Sequence, residues 1–88
     1  MALLIVAGCQ SMPVQEMSDA RQAITAAKEA GAAEYAAGEL RAAEEYLESA
    51  QKNLKARSYT IARRDAVEAK TKALEALRRS EAASQVEK

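Results

Sequence analysis

Three stretches of the chain place small and apolar residues at the spacing of one helix face. The intervals between these residues are three or four positions, which brings them onto a single side of an α-helix. The first stripe contains Ala20, Ala23, Ala27 and Ala30, the second Leu40, Ala43, Leu47, Ala50 and Leu54, and the third Ala62, Ala66, Ala69, Ala73 and Ala76. The pattern therefore predicts three helices that each bury one face.

Breaks between the stripes set the expected ends of these helices. Gly31 and Gly38 enclose the first break, and each Gly disfavours a helix interior by about 1 kcal/mol relative to Ala. Ser58 is the N-cap candidate in the second break. We expect helices near residues 18–33, 38–55 and 59–84, joined by short turns into an all-α antiparallel three-helix bundle. Because the second break has no Gly or Pro, one continuous rod through Ser58 is the alternative.

The segment before the first stripe has no clear periodicity. Pro13 restrains helix formation at Met12, whereas Ser18 or Asp19 offers an N-cap oxygen, with Gln22 three residues after Asp19 as in a capping box. We therefore predict a tether over residues 9–17, a helical domain over residues 18–84 and a tail over residues 85–88.

The composition excludes several classes of site. Thirteen basic residues balance thirteen acidic ones, so the net charge is zero and a basic nucleic-acid footprint is absent. With no His and one Cys, a single chain supplies neither a His/Cys zinc site nor a Ser-His or Cys-His pair. Glu44, Glu45 and Glu48 cluster, but acid–base work requires a pocket that separates their pKa values. We expect no enzyme, metal, nucleic acid or small-molecule substrate.

The N-terminal residues indicate a compartment. Residues 2–7 are apolar, and the sequence Val6-Ala7-Gly8-Cys9 resembles the lipobox of bacterial lipoproteins, in which the Cys thiol accepts diacylglycerol. The resemblance implies that residues 1–8 are a truncated signal peptide and that Cys9 carries the covalent lipid, with no other cofactor. Gln10 in place of Asp implies the outer membrane, facing the periplasm. The alternative is a buried structural Cys in an ordinary apolar element.

A family resemblance covers roughly residues 18–83. Its marks are the pairs Gly31-Ala32, Tyr35-Ala36 and Glu39-Leu40, followed by Tyr59 as a later aromatic. This pattern resembles the domain of unknown function 4398, which occurs in small envelope lipoproteins. Ala37 stands where that family usually has Pro, and the turn before Tyr59 lacks its Gly. The resemblance implies an envelope location and two Ala-periodic helices after the first, but no activity.

The core of such a bundle is expected to be thin. Ala contributes one methyl group, so most of the apolar volume is expected from Ile24, Leu40, Leu47, Leu54, Ile61, Val67, Leu74 and Leu77. A domain of about 65 residues with so small a core is marginal alone, which makes self-association an expectation.

The favoured function is a non-catalytic interaction or structural module of the envelope, anchored to the membrane by lipid and contacting an envelope protein or peptidoglycan. Tyr35, Tyr46 and Tyr59 are candidate partner contacts, with plugging of the Ala-lined bundle as the alternative for Tyr35 and Tyr59. A second hypothesis is covalent attachment of the outer membrane to peptidoglycan through the amine of Lys88.

Overall fold

The computed structural model describes residues 11–86, and these residues are helical throughout apart from short connections. The helices are α1 (Val14–Glu29), α2 (Ala32–Tyr35), α3 (Ala37–Lys55) and α4 (Tyr59–Val86). Residues 11–86 contain no strand, which confirms the all-α class. None of the helices in this range is both long and apolar enough to cross a membrane.

The first helix begins four residues before the predicted start. Pro13 occupies the N-cap of α1, where its missing N–H costs no helix hydrogen bond, and its carbonyl accepts from the Met17 N–H at 3.0 Å. Met17 is 3% exposed and packs with Ala50 and Ala66. The helix therefore runs through residues 14–17 of the predicted tether, and the N-cap predicted at Ser18 or Asp19, with its capping box at Asp19 and Gln22, is wrong. Tertiary burial of Met17 extends the helix back to Pro13.

The first break lies at one glycine only. Gly31 has a φ of +92°, the left-handed conformation in which Gly ends a helix at little steric cost. It ends α1, so the predicted helix 18–33 is wrong, and residues 32–35 form the separate turn α2. Gly38 lies inside the first turn of α3 and does not break the chain, because Ala36 already interrupts the helix with φ −149°.

The second break forms without glycine. Arg57 adopts φ +63°, and the Ser58 N–H donates to the Asn53 carbonyl at 2.8 Å while the Arg57 N–H donates to the Leu54 carbonyl at 3.0 Å. These two bonds are those of a Schellman motif. The chain therefore turns between α3 and α4, and the alternative of a continuous rod is wrong.

The three long helices pack side by side in alternating directions. Arg79 near the end of α4 pairs with Glu39 at the start of α3, whereas Arg63 near the start of α4 pairs with Glu16 at the start of α1. Helix α4 thus runs antiparallel to α3 and parallel to α1. All five Ala residues of the third predicted stripe have no exposed surface, so α4 lies against both other long helices through small side chains that permit close approach.

Candidate functional site

The residues predicted to carry the lipid and the wall attachment lie outside the described range. Cys9, the lipobox residues Val6, Ala7 and Gly8, and Lys88 all fall outside residues 11–86. Their roles stay predictions. Residues 11–86 do include the three candidate tyrosines and a group of polar side chains between the helices.

Tyr35 lies beneath the first turn rather than on an open surface. It is half-buried in α2, and a Cβ atom placed on Gly31 would lie 3.2 Å from its Cδ2 atom. The ring therefore packs against the glycine that ends α1. This position agrees with the plugging role that sequence reasoning left open for Tyr35.

Tyr46 and Tyr59 differ in exposure. Tyr46 is 36% exposed on α3 and lines a groove between α3 and α4. Tyr59 is half-buried as the first residue of α4. Of the three tyrosines, Tyr46 is therefore the most exposed.

A part-buried polar cluster joins α3 to α4 below Tyr46. The Ser49 hydroxyl donates to Asp65 Oδ2 at 2.6 Å, and the Asn53 Nδ2 amide donates to the same oxygen at 3.0 Å. Asn53 also donates to the Ser49 carbonyl at 3.0 Å. Asp65 is only 9% exposed, so two donors offset the loss of water around its carboxylate. The cluster fixes one position of α4 against α3.

The groove above this cluster is half-open and has a volume of about 390 Å³. It is lined by Ala42, Glu45, Tyr46, Ser49, Asp65 and Lys72. Residues 11–86 hold no group of three carboxylate, His or Cys side chains placed to bind a metal ion. The groove is lined by the aromatic side chain of Tyr46 and by charged groups of both signs, Glu45, Asp65 and Lys72.

The clustered carboxylates Glu44, Glu45 and Glu48 lie in different surroundings. Glu44 Oε2 lies 3.1 Å from Lys28 Nζ and joins α3 to α1, whereas Glu45 lines the groove and Glu48 is exposed. Each of the three therefore has different surroundings.

Sequence reasoning missed Asp65, which lies on the buried side of α4 between Ala62 and Ala66. The available signal was a charged residue on the face predicted to be buried, because Asp65 lies three positions after Ala62 and directly before Ala66 of the third stripe. Its partners Ser49 and Asn53 were not identifiable, because only the packing of α3 on α4 brings them together.

An ion pair closes the opposite end of the α3–α4 interface. Arg79 Nη1 donates to Glu39 Oε2. A hydrogen bond from the backbone N–H of Glu39 lowers the pKa of its carboxyl group, desolvation opposes this, and the Arg79 charge lowers it further. Glu39 thereby satisfies a free N–H in the first turn of α3 and joins that turn to α4.

The start of α1 is attached to the start of α4. The Arg63 Nη2 atom donates to the Ser11 carbonyl at 2.8 Å, and Arg63 Nε lies 3.3 Å from Glu16 Oε2. The α3–α4 turn adjoins this end and forms a shallow crevice of about 320 Å³, lined by Arg57, Ser58, Tyr59, Thr60 and Ile61. We call this end of the molecule, residues 11–16 and 52–64, the basal end.

Comparison with known proteins identifies a family and nothing further. No curated protein and no solved structure matches the chain. The profile of the family described as "Domain of unknown function (DUF4398)" matches residues 15–88, which is most of the sequence and agrees with the resemblance at Gly31, Tyr35 and Glu39. The chain therefore belongs to the family of the domain of unknown function DUF4398.

Proposed function

We propose that this protein is a non-catalytic outer-membrane lipoprotein whose helical domain faces the periplasm and acts as an interaction or structural module of the envelope. The observation that carries the proposal is the sequence Val6-Ala7-Gly8-Cys9 immediately before a helical domain. In this proposal the three long helices act as one antiparallel bundle, and lipid on Cys9 attaches it to the membrane.

The start of the domain supports an anchored arrangement. Ser11 is hydrogen-bonded to Arg63 of α4, and two peptide steps separate Cys9 from Ser11. Two residues span at most about 7 Å. A lipid on Cys9 would therefore hold the basal end close to the membrane, with the α1–α3 junction directed away from it.

The exposed part of the α3–α4 groove supports the interaction role. Tyr46 is exposed at its rim, while Asp65 below it is held by Ser49 and Asn53. Tyr is a residue that contributes strongly to protein interfaces when it becomes buried. A preformed groove beside an exposed Tyr offers a partner a contact surface without rearrangement of the helices.

The intact mass of the protein from lysozyme-digested envelopes of its native host tests the proposal. A mass that begins at Cys9 and includes acyl chains is the expected result, and a Cys9→Ser variant should lose those chains. A further muropeptide mass that disappears in a Lys88→Ala variant would replace the interaction role with the covalent wall attachment. An unmodified chain that still begins at Met1 would overturn the proposal.

A further inference from the structure

The charges of this neutral chain are separated along the bundle. The basal end contains five basic residues and one acidic residue, a net charge of +4, and Asp65, the next residue of α4, accepts a hydrogen bond from Asn53 of this end and reduces the local charge to +3. The basic residues are Lys52, Lys55, Arg57, Arg63 and Arg64. Only Arg63 pairs with the single carboxylate, Glu16; the other four side chains are exposed. The molecule thus presents one positive end.

Exposed apolar side chains occur at the same end. Met12 is 51% exposed, Val14 64% and Ile61 42%. Ile61 was expected in the core, but α4 turns it outward beside Tyr59 in the turn crevice. Apolar side chains surrounded by basic ones are the combination that binds the interface of an anionic membrane.

Arg57 holds its charge at the tip of the α3–α4 turn in an unfavourable backbone conformation. Its φ of +63° costs a non-Gly residue roughly 1 kcal/mol or more, and Gly is the usual residue at this position of a Schellman motif. Two helix N-termini, those of α1 and α4, also lie at this end and contribute partial positive charge, whereas the C-terminus of α3 at the same end contributes partial negative charge.

We propose that the basal end is a docking surface for the anionic headgroups of a phospholipid membrane. The inference rests on the proposed function for its orientation, since an anchor on Cys9 would bring this end to the bilayer. The positive charges contact lipid phosphates, and the side chains of Met12, Val14 and Ile61 enter the headgroup layer. The bundle then stands upright on the membrane with its α1–α3 junction directed away from the bilayer.

Binding of the full chain carrying Cys9→Ser to phospholipid vesicles tests the surface without the covalent lipid. Vesicles of phosphatidylcholine containing phosphatidylglycerol are compared with vesicles of phosphatidylcholine alone, at low and high ionic strength. We expect tighter binding to the anionic vesicles and a loss of that preference at high salt. Replacing Lys55 and Arg57 by Gln together should weaken anionic binding by tenfold or more, since each basic residue near the surface contributes roughly fivefold.

A matched pair of substitutions controls for net charge. Lys70→Gln with Arg78→Gln removes the same two charge types from exposed positions of α4 outside the basal end, and it should leave binding within about twofold. Equal loss in the two double variants, or equal binding to both kinds of vesicle, would overturn the proposal. The apolar run of residues 2–7 is the same in every variant, so it does not produce these differences.

Arg57→Gly separates binding from folding. It removes the charge but suits the left-handed conformation, so it should raise the unfolding temperature while weakening anionic binding. Unchanged binding in this variant would contradict the role of Arg57. Since all these chains lack the covalent lipid, failure here is distinguishable from failure of the mass measurement, which tests lipidation alone.

Discussion

At the residue scale, the interior of this protein is built mostly from alanine, with Met17, Ile24 and Leu40 as its larger apolar side chains and two polar residues, Asp65 and Ser80, among them. Nine Ala residues of α1, α3 and α4 have no exposed surface: Ala20, Ala27, Ala43, Ala50, Ala62, Ala66, Ala69, Ala73 and Ala76. Ser80 continues this stripe four positions after Ala76 and is equally buried, and its hydroxyl has no hydrogen-bond partner within residues 11–86. Asp65, by contrast, has two donors.

Ser80→Ala should therefore stabilise the protein. The substitution removes a buried hydroxyl whose loss of water is not compensated, a penalty of about 1 kcal/mol or more, and keeps the small side chain that the stripe requires. Urea unfolding followed by circular dichroism measures the change. Ser84→Ala is the control, because the Ser84 hydroxyl donates to the Glu81 carbonyl at 3.2 Å. A lower unfolding free energy for Ser80→Ala would contradict the account.

At the element scale, the two glycines of the first break have different roles. Gly31 ends α1 in the left-handed conformation with Tyr35 packed against it. Gly38 lies in the first turn of α3, and a Cβ atom there would contact nothing within 4 Å. The sequence presents them as equivalent helix breakers, but backbone geometry requires glycine only at position 31.

Replacing each glycine by Ala should change stability in opposite directions. Gly31→Ala forces a positive φ on Ala and places its Cβ against the Tyr35 ring, so a loss of about 1–3 kcal/mol is expected. Gly38→Ala introduces a better helix former without a clash and should add up to about 1 kcal/mol. Thermal unfolding of the two variants measures both effects. A loss of stability in each would mean that both glycines are required.

At the scale of the whole molecule, alanine surfaces leave the alignment of α3 and α4 weakly specified. Sliding one Ala stripe past another by two helix turns would still place Ala against Ala, although the three-residue turn over residues 56–58 opposes so long a shift. Only one alignment, however, lets Asp65 accept hydrogen bonds from Ser49 and Asn53. A buried polar residue that specifies register at some expense of stability is well attested in coiled coils. The cluster therefore acts together with the α3–α4 turn and the Glu39–Arg79 ion pair to hold the observed alignment.

Substitutions in the cluster should separate stability from alignment. Asp65→Ala alone leaves two part-buried donors without their acceptor and should cost about 1 kcal/mol. Adding Ser49→Ala and Asn53→Leu should recover much of that loss but broaden or multiply the amide signals in nuclear magnetic resonance spectra, because competing alignments become similar in energy. Asp19→Ala, at a half-buried position of α1, is the control. One sharp set of signals from the triple variant would exclude the register role.

The sequence by itself determined the helical class, the helix faces and the family. The spacing of Ala and Leu by three or four positions was enough to identify the buried face of each helix, because helix geometry fixes the direction in which each side chain points. The third stripe, Ala62 to Ala76, is buried throughout. The end of α3 at Lys55 and the start of α4 at Tyr59 were also predicted correctly, and the family match agrees with the pairs read at Gly31, Tyr35 and Glu39.

Tertiary structure decided what local pattern could not. Burial of Met17 and the contacts of Arg63 with Ser11 and Glu16 extend α1 to Val14. The cluster around Asp65 and the positive basal end each require residues from different helices. Such groups depend on contacts between residues distant in sequence, and alanine stripes alone do not specify which positions of two helices meet. The local pattern therefore indicates which face is buried, whereas packing determines what that face contacts.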